Sequence, residues 1–335
     1  MNITIIQLLI SMVVVFVAAV IFVNAIEYLG FRLRLGGSFV GAIISPLFTS
    51  FPELTVFLVA VFSLKGGAGE EIGTGTLLGQ PFMASSLSYG LVGVAARVGF
   101  WLKRRSSASL KVDKSLVIPY VFITILFPLT LVPSLLGGGP IKYLFGLVFL
   151  AAFLVYVGMM FRKKGADLIK ECDDCYLYRY GYKALRSHLL AGLIQIAVAV
   201  ALLYFGSHRM VGAVNDLATG LGMSALGLAL IIVPAATAIP ETASALIWGF
   251  RGKDTLSIGS LVGEKILYST FYPALGLFLT AWTLDRHAYF SVAATTVISA
   301  ILLVFILRGR MPWWGLCIGM FFFAAYAILV FAFQF

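Results

Sequence analysis

Residues 46–53 read PLFTSFPE and residues 234–241 read PAATAIPE. Both are P-x-x-T-x-x-P-E, and each sets a threonine, a carboxylate and two prolines inside an apolar run long enough to cross a bilayer. Proline cannot donate to the carbonyl four residues back, so Pro52 and Pro240 release the oxygens of Phe48 and Ala236, and Pro46 and Pro234 loosen the turn before. Freed carbonyls, threonine hydroxyls and carboxylates are hard oxygen donors, the set preferred by calcium and similar cations. Irregular backbone at membrane depth survives only where it is buried in protein or lines a wet cavity. An intramembrane carboxylate is costly, and by default it marks an ion or substrate pathway. Prolines that merely kink, and threonines that bond back to their own helix, would account for one such motif. They do not account for a matched pair.

The depth of the two acids fits the same chemistry. Glu241 precedes Arg251 by ten residues, about 15 Å of helix rise, or half of a hydrocarbon core of roughly 30 Å. Glu53 stands at a similar distance from Lys65. Facing each other empty, the two carboxylates would repel. A divalent ion or protons would relieve that repulsion, and exchange between such occupants is antiport.

The elements that must hold these residues are membrane helices. The 335-residue chain is 61% apolar and 11% charged, with mean hydropathy +1.03, against about 25% charged residues in a soluble domain. Candidate spans cover 5–27, 36–63, 72–98, 115–136, 141–162, 187–206, 221–250, 255–282, 287–306 and 312–334, leaving no room for a soluble domain. IFVNA (21–25) loosely suggests a leader cleavage site. The lack of Lys or Arg before a long apolar run makes a retained helix the expectation.

The net charge of +10 follows topology. If the N-terminus lies outside, nearly all basic residues fall in cytoplasmic loops. The outer loops hold Lys65, Lys142, Arg209 and Arg286, and Lys265 lies within a span. The positive-inside rule then sets both termini outside, with anionic lipid head groups as partners of the basic loops and no nucleic acid. No protein partner is inferred.

The repeat extends beyond the acids. GTLLG (75–79) and GSLVG (259–263) share G-[ST]-L-[LV]-G and follow the two P-x-x-T-x-x-P-E motifs in the same order. The helix offset is five, an odd number, so the halves insert with opposite orientation, as in secondary transporters whose sites lie where inverted repeats meet. The expected fold is an all-α membrane protein of ten transmembrane helices in two inverted five-helix repeats. Residues 1–165 form the first repeat, with its motif in 45–98; 166–186 form a cytoplasmic linker; and 187–335 form the second, with its motif in 225–280. Gly75, Gly79, Gly259 and Gly263, spaced i, i+4, are expected to let helices pack closely.

At these residues the sequence resembles the cation/calcium exchanger superfamily, especially its sodium/calcium branch. That family's two repeats carry G-T-S-[LI]-P-E-[LT] followed by G-N-x-x-G-S-N. Here they read FTSFPEL then GTLLGQP, and ATAIPET then GSLVGEK. The resemblance implies that Glu53, Glu241, Thr49 and Thr237 bind a calcium-type ion at the centre. It also implies that Ser50 and backbone oxygens near Pro46 and Pro234 serve flanking sodium sites.

Several positions depart from that pattern. Ala238 replaces a serine, Gln80 and Glu264 replace the serines of the following helices, and Ala84 and Tyr268 replace Asn or Asp one turn later. Sodium coupling is thereby put in question, and Glu264 becomes a candidate third carboxylate suited to protons or another cation. Lys265 has two readings. It is either a tethered cation that neutralises a carboxylate or one half of a structural salt bridge.

Other residues say less. Cys172 and Cys175 form a lone C-x-x-C without the four ligands of a zinc site. Glu70 and Glu71 read as a solvated pair on an outer loop, and ECDD (171–174) lacks EF-hand spacing. The leading reading is a secondary antiporter in the cell membrane that exchanges calcium, or another divalent cation, against sodium or protons, without a cofactor. An intramembrane enzyme lacks any H-E-x-x-H or G-x-S-x-G motif, and a channel would place selectivity in symmetric subunit rings. A degenerate homologue with a regulatory or scaffolding role, and a proton-coupled carrier of a different cation, stay open.

Overall fold

A computed structural model of the chain describes residues 2–32, 45–64, 66–162, 174–181, 188–262 and 264–333. It is almost entirely helical. In chain order, α1 is Asn2–Arg32, α2 Ser45–Thr49, α3 Phe51–Ser63, α4 Gly67–Met83, α5 Tyr89–Trp101, α6 Val117–Leu126, α7 Val132–Leu135, α8 Ile141–Arg162 and α9 Tyr176–Gly181. The second part continues with α10 His188–Leu221, α11 Ala225–Thr237, α12 Ile239–Phe250, α13 Asp254–Val262, α14 Lys265–Ser269, α15 Phe271–Leu279, α16 Arg286–Leu307 and α17 Trp313–Phe333. Among the described residues, six stretches are long and apolar enough to cross a membrane: Asn2–Ile26, Val117–Leu135, Ile141–Met159, Leu189–Leu221, Arg286–Leu307 and Trp313–Ala332. A two-residue antiparallel pairing, β1 Leu110–Lys111 with β2 Arg310–Met311, joins two loops.

The surface and the centre have opposite characters. Large apolar side chains such as Leu144, Leu147, Leu154 and Val155 on α8, and Phe205 on α10, are exposed, as a lipid-facing helix requires. Ser50, Glu53, Gln80, Ser85, Ser88, Thr237, Glu264 and Lys265 are buried. The chain therefore wraps a polar centre in an apolar shell, the reverse of a soluble protein.

Four of the apolar segments are interrupted where the sequence carries its motifs. Between α2 and α3 the helix stops at Ser50, and Pro52 takes the first turn of α3; between α11 and α12 it stops at Ala238, with Pro240 in the first turn of α12. In that position proline forfeits no intrahelical bond. The breaks are therefore true helix ends and not kinks in a continuous helix. Between α4 and α5, Ala84–Ser88 form a π-helical turn, a local insertion common at functional sites. Between α14 and α15 the backbone of Thr270 leaves helical geometry at φ −139°, ψ −78°.

Packing about the centre comes in corresponding pairs. α1 lies along α10, and α6 along α16. α5 packs on α17, as α15 packs on α8. α4 and α11 meet closely: a Cβ on Gly75 would come within 2.7 Å of the Leu226 carbonyl, and one on Gly79 within 2.7 Å of that of Leu230. These glycines pack as expected. Gly259 does not, having nothing within 4 Å, and Gly263 lies outside the described residues. The motif is shared by the two helices, but only the first copy has a partner backbone against it.

Candidate functional site

Glu53 stands in the first turn of α3 with only 2% of its surface exposed. The helix break at Ser50 puts it there, so the positive end of α3 faces the carboxylate. The Thr237 hydroxyl is a partner of this carboxylate, and the Glu264 carboxylate lies close enough to repel it. The outer oxygen, Oε2, is buried with no hydrogen-bond donor. Thr237 Oγ1 sends its one proton to the Val233 carbonyl at 3.0 Å, so it stands beside Glu53 as an oxygen neighbour.

Glu264 immediately precedes α14 and is 6% exposed. Its Oε1 accepts from the Thr49 hydroxyl at 2.8 Å, and its Oε2 faces Gln80 Nε2 at 3.5 Å. Gln80 Oε1 has no donor. Ser50 Oγ meets the Tyr272 hydroxyl at 2.5 Å. Glu53, Thr49, Ser50, Gln80, Thr237 and Glu264 therefore converge from α2, α3, α4, α11 and the start of α14. The chain reaches this point from positions up to 215 residues apart.

Some expected ligands are otherwise engaged. The Pro46 carbonyl already takes the Ser50 amide at 3.0 Å and the Ser50 hydroxyl at 2.7 Å. A carbonyl has two lone pairs, so none remains for an ion in this conformation. Pro234 lies within α11, and its carbonyl accepts the Ala238 amide at 2.9 Å. The side chain of Glu241, in the first turn of α12, lies outside the described structure.

Lys265 is not the salt-bridge partner of its neighbour. It shares no salt bridge with Glu264, because successive helical residues point about 100° apart. Its ammonium donates to Ser85 Oγ at 2.8 Å and lies 5.3 Å and 5.1 Å from the ring centroids of Tyr89 and Tyr120. A cavity of about 10 Å³, lined by Gln80, Ser88, Thr242, Glu264, Lys265 and Tyr268 among others, adjoins both groups. That is the scale of one water-sized occupant. Ser88 and Thr242 close one side through a hydroxyl pair at 2.8 Å.

The sequence reading missed Tyr272, Ser85, Ser88 and Thr242. The polar run ASSLS at 84–88, inside an apolar segment, was the available signal. Glu70 is no loop residue: it sits in the first turn of α4, and its carboxylate accepts the Ala281 amide. Cys175 is a buried free thiol, and Cys172 lies outside the described residues.

The fold and this acid-lined centre define a membrane protein of exchanger architecture. A crystal structure of an H+/Ca2+ exchanger superposes with TM-score 0.75 at 16% identity, covering 98% of this chain and 81% of the other. A sodium-calcium exchanger structure, NCX_Mj soaked with Na+ and Sr2+, superposes with TM-score 0.59 at 17% identity, covering 99% and 98%. The profile described as "Sodium/calcium exchanger protein" matches residues 3–162 and 191–334, and the chain belongs to that family. It is 28% identical over 202 residues to a putative antiporter, CaxA, of Alkalimonas amylolytica, a match spanning 55% of this chain and 60% of that relative. It is 21% identical over 280 residues to the inner membrane protein YrbG of Escherichia coli K12, covering 84% and 81%.

Proposed function

We propose that the chain is a secondary antiporter that moves calcium, or another divalent cation, against sodium or protons by alternating access. The carrying observation is the Glu53 carboxylate, buried beside Glu264 with one oxygen lacking any donor. Two acids held together away from water call for a cation between them. Gln80 Oε1, also without a donor, adds a neutral oxygen to the same region. Glu53, Glu264, Thr49, Thr237, Gln80 and Glu241 form the proposed ligand set, with Ser50 supporting it through Tyr272.

Ten membrane passages in two inverted halves, divided near 165 and 187 as the sequence suggests, accord with the correspondence in packing. The α5–α17 contact answers the α15–α8 contact, as a pseudo-two-fold relation between the halves would have it. Both termini outside, in a cell membrane, is the orientation that the basic loops favour.

The test is flux in proteoliposomes holding the purified full chain. Calcium, magnesium and manganese are each offered against imposed sodium and proton gradients. Uptake that requires one of the two counter-gradients is the expected result. Uptake with no counter-gradient would make the protein a channel, and no uptake under any gradient would leave it a non-transporting homologue.

A further inference from the structure

The Lys265 ammonium is 2% exposed and sits next in sequence to the Glu264 carboxylate of the cation site. A buried charge normally pairs with an opposite one. Among the described side chains, Lys265 pairs with no carboxylate. Its one hydrogen-bond acceptor is Ser85 Oγ at 2.8 Å, and the faces of Tyr89 and Tyr120 take the rest of the charge. The two rings stand tilted at 64° with centroids 6.4 Å apart, forming two walls of a cage. Aromatic faces with a single hydroxyl suit a monovalent ammonium-type cation, since ring quadrupoles attract such charge without requiring an anion. A divalent ion, which demands several hard oxygens, fits poorly there.

The matching position of the first motif carries no charge. Aligning GTLLGQP with GSLVGEK sets Lys265 against Pro81, so a single fixed positive charge enters the centre. Lys265 and Glu264 also line the same small cavity. The fixed charge therefore stays at the edge of the cavity that Glu264 lines, where it repels a second mobile cation from the adjoining space.

Building on the antiporter reading above, we propose that Lys265 is a resident cation. Its ammonium occupies, in the Ser85–Tyr89–Tyr120 cage, the place a monovalent ion would otherwise take, so divalent transport by this chain proceeds without sodium. The proposal makes Lys265 a specificity-determining residue that acts through charge.

The test uses the full chain in proteoliposomes, with divalent uptake driven by a proton gradient at constant ionic strength. Sodium is replaced by choline, and separately methylammonium is added. For the wild type, uptake in sodium and in choline should agree within about twofold; a tenfold fall in choline overturns the proposal without reference to any variant. Lys265→Met keeps the length of the side chain and removes its charge. The folded variant, verified by an unchanged elution profile in detergent, should lose most uptake in choline, and Lys265→Ala should regain it when methylammonium or sodium is added. Variants whose ion dependence matches the wild type, or a Lys265→Ala that no small cation rescues, would reduce Lys265 to a structural residue. If the wild type moves no divalent ion under any gradient, the antiporter reading itself fails, an outcome distinct from either of these.

Discussion

The stretches Gly67–Trp101 and Asp254–Leu279 carry the same G-[ST]-L-[LV]-G motif and have become different objects. The first runs from α4 through a π-helical turn into α5, with Gly75 and Gly79 set against the carbonyls of Leu226 and Leu230. The second is divided into α13, α14 and α15, and Gly259 touches nothing within 4 Å. After the motif the first has Gln80 and Pro81, whereas the second has Glu264 and Lys265. One stretch therefore supplies a close-packed wall with a neutral amide. The other brings both charges to the centre on short helical pieces. Two copies of one motif can therefore divide the labour unequally.

That division can be broken or sharpened by substitution, beginning with the acids. Glu53→Gln should reduce divalent flux by about 100-fold or more, because it removes a ligand charge that offsets cation dehydration. Gradient-driven calcium uptake in proteoliposomes reads this directly, and near-normal uptake would remove Glu53 from the site. If the second stretch carries the chemistry, Glu264→Gln should cost nearly as much, while Gln80→Ala in the first costs far less. Equal losses at 80 and 264 would erase the asymmetry.

Thr49→Val comes next. It deletes the hydrogen bond to Glu264, and a bond to a charged group is worth about 1.5–3 kcal/mol. Apparent divalent affinity should fall by roughly tenfold or more, measured as the concentration dependence of uptake.

The glycines test the packing side. Gly79→Ala places a methyl against the Leu230 backbone, so it should destabilise the fold by about 1–3 kcal/mol, visible as a lower melting temperature in detergent. Gly259→Ala meets no neighbour and should be neutral or stabilising by up to about 1 kcal/mol through helix propensity. Similar melting shifts for the two would mean that both copies of the motif pack alike.

Much of this was legible in the residues. The P-x-x-T-x-x-P-E motif singled out Glu53, Glu241, Thr49 and Thr237, because an acid at membrane depth has few reasons to exist other than ions. The structure brings Glu53, Thr49 and Thr237 together, and the Glu241 side chain lies outside the described structure. Glu264 stood out as a departure from the family pattern, a candidate third carboxylate where that pattern has a serine. The prolines were legible as breaks, but their exact place was not, since a mid-helix proline and a first-turn proline share one local sequence. Only the surrounding packing decides where a helix ends. Tyr272 could not be linked to Ser50 from the chain alone, as their contact spans 222 residues.

The sequence by itself determined that the chain lives in a membrane, that it is doubled, and that acids and hydroxyls recur at matched points. Hydropathy, charge bias and repeated spacing are local properties, readable along one dimension. Only the tertiary structure decided that Lys265 turns from its neighbouring acid to a hydroxyl and two aromatic rings. It also decided that Gly75 and Gly79 pack while Gly259 does not, and that the Pro46 carbonyl is already filled. Those outcomes depend on which distant backbone or side chain arrives opposite each residue, and no spacing within the chain encodes that.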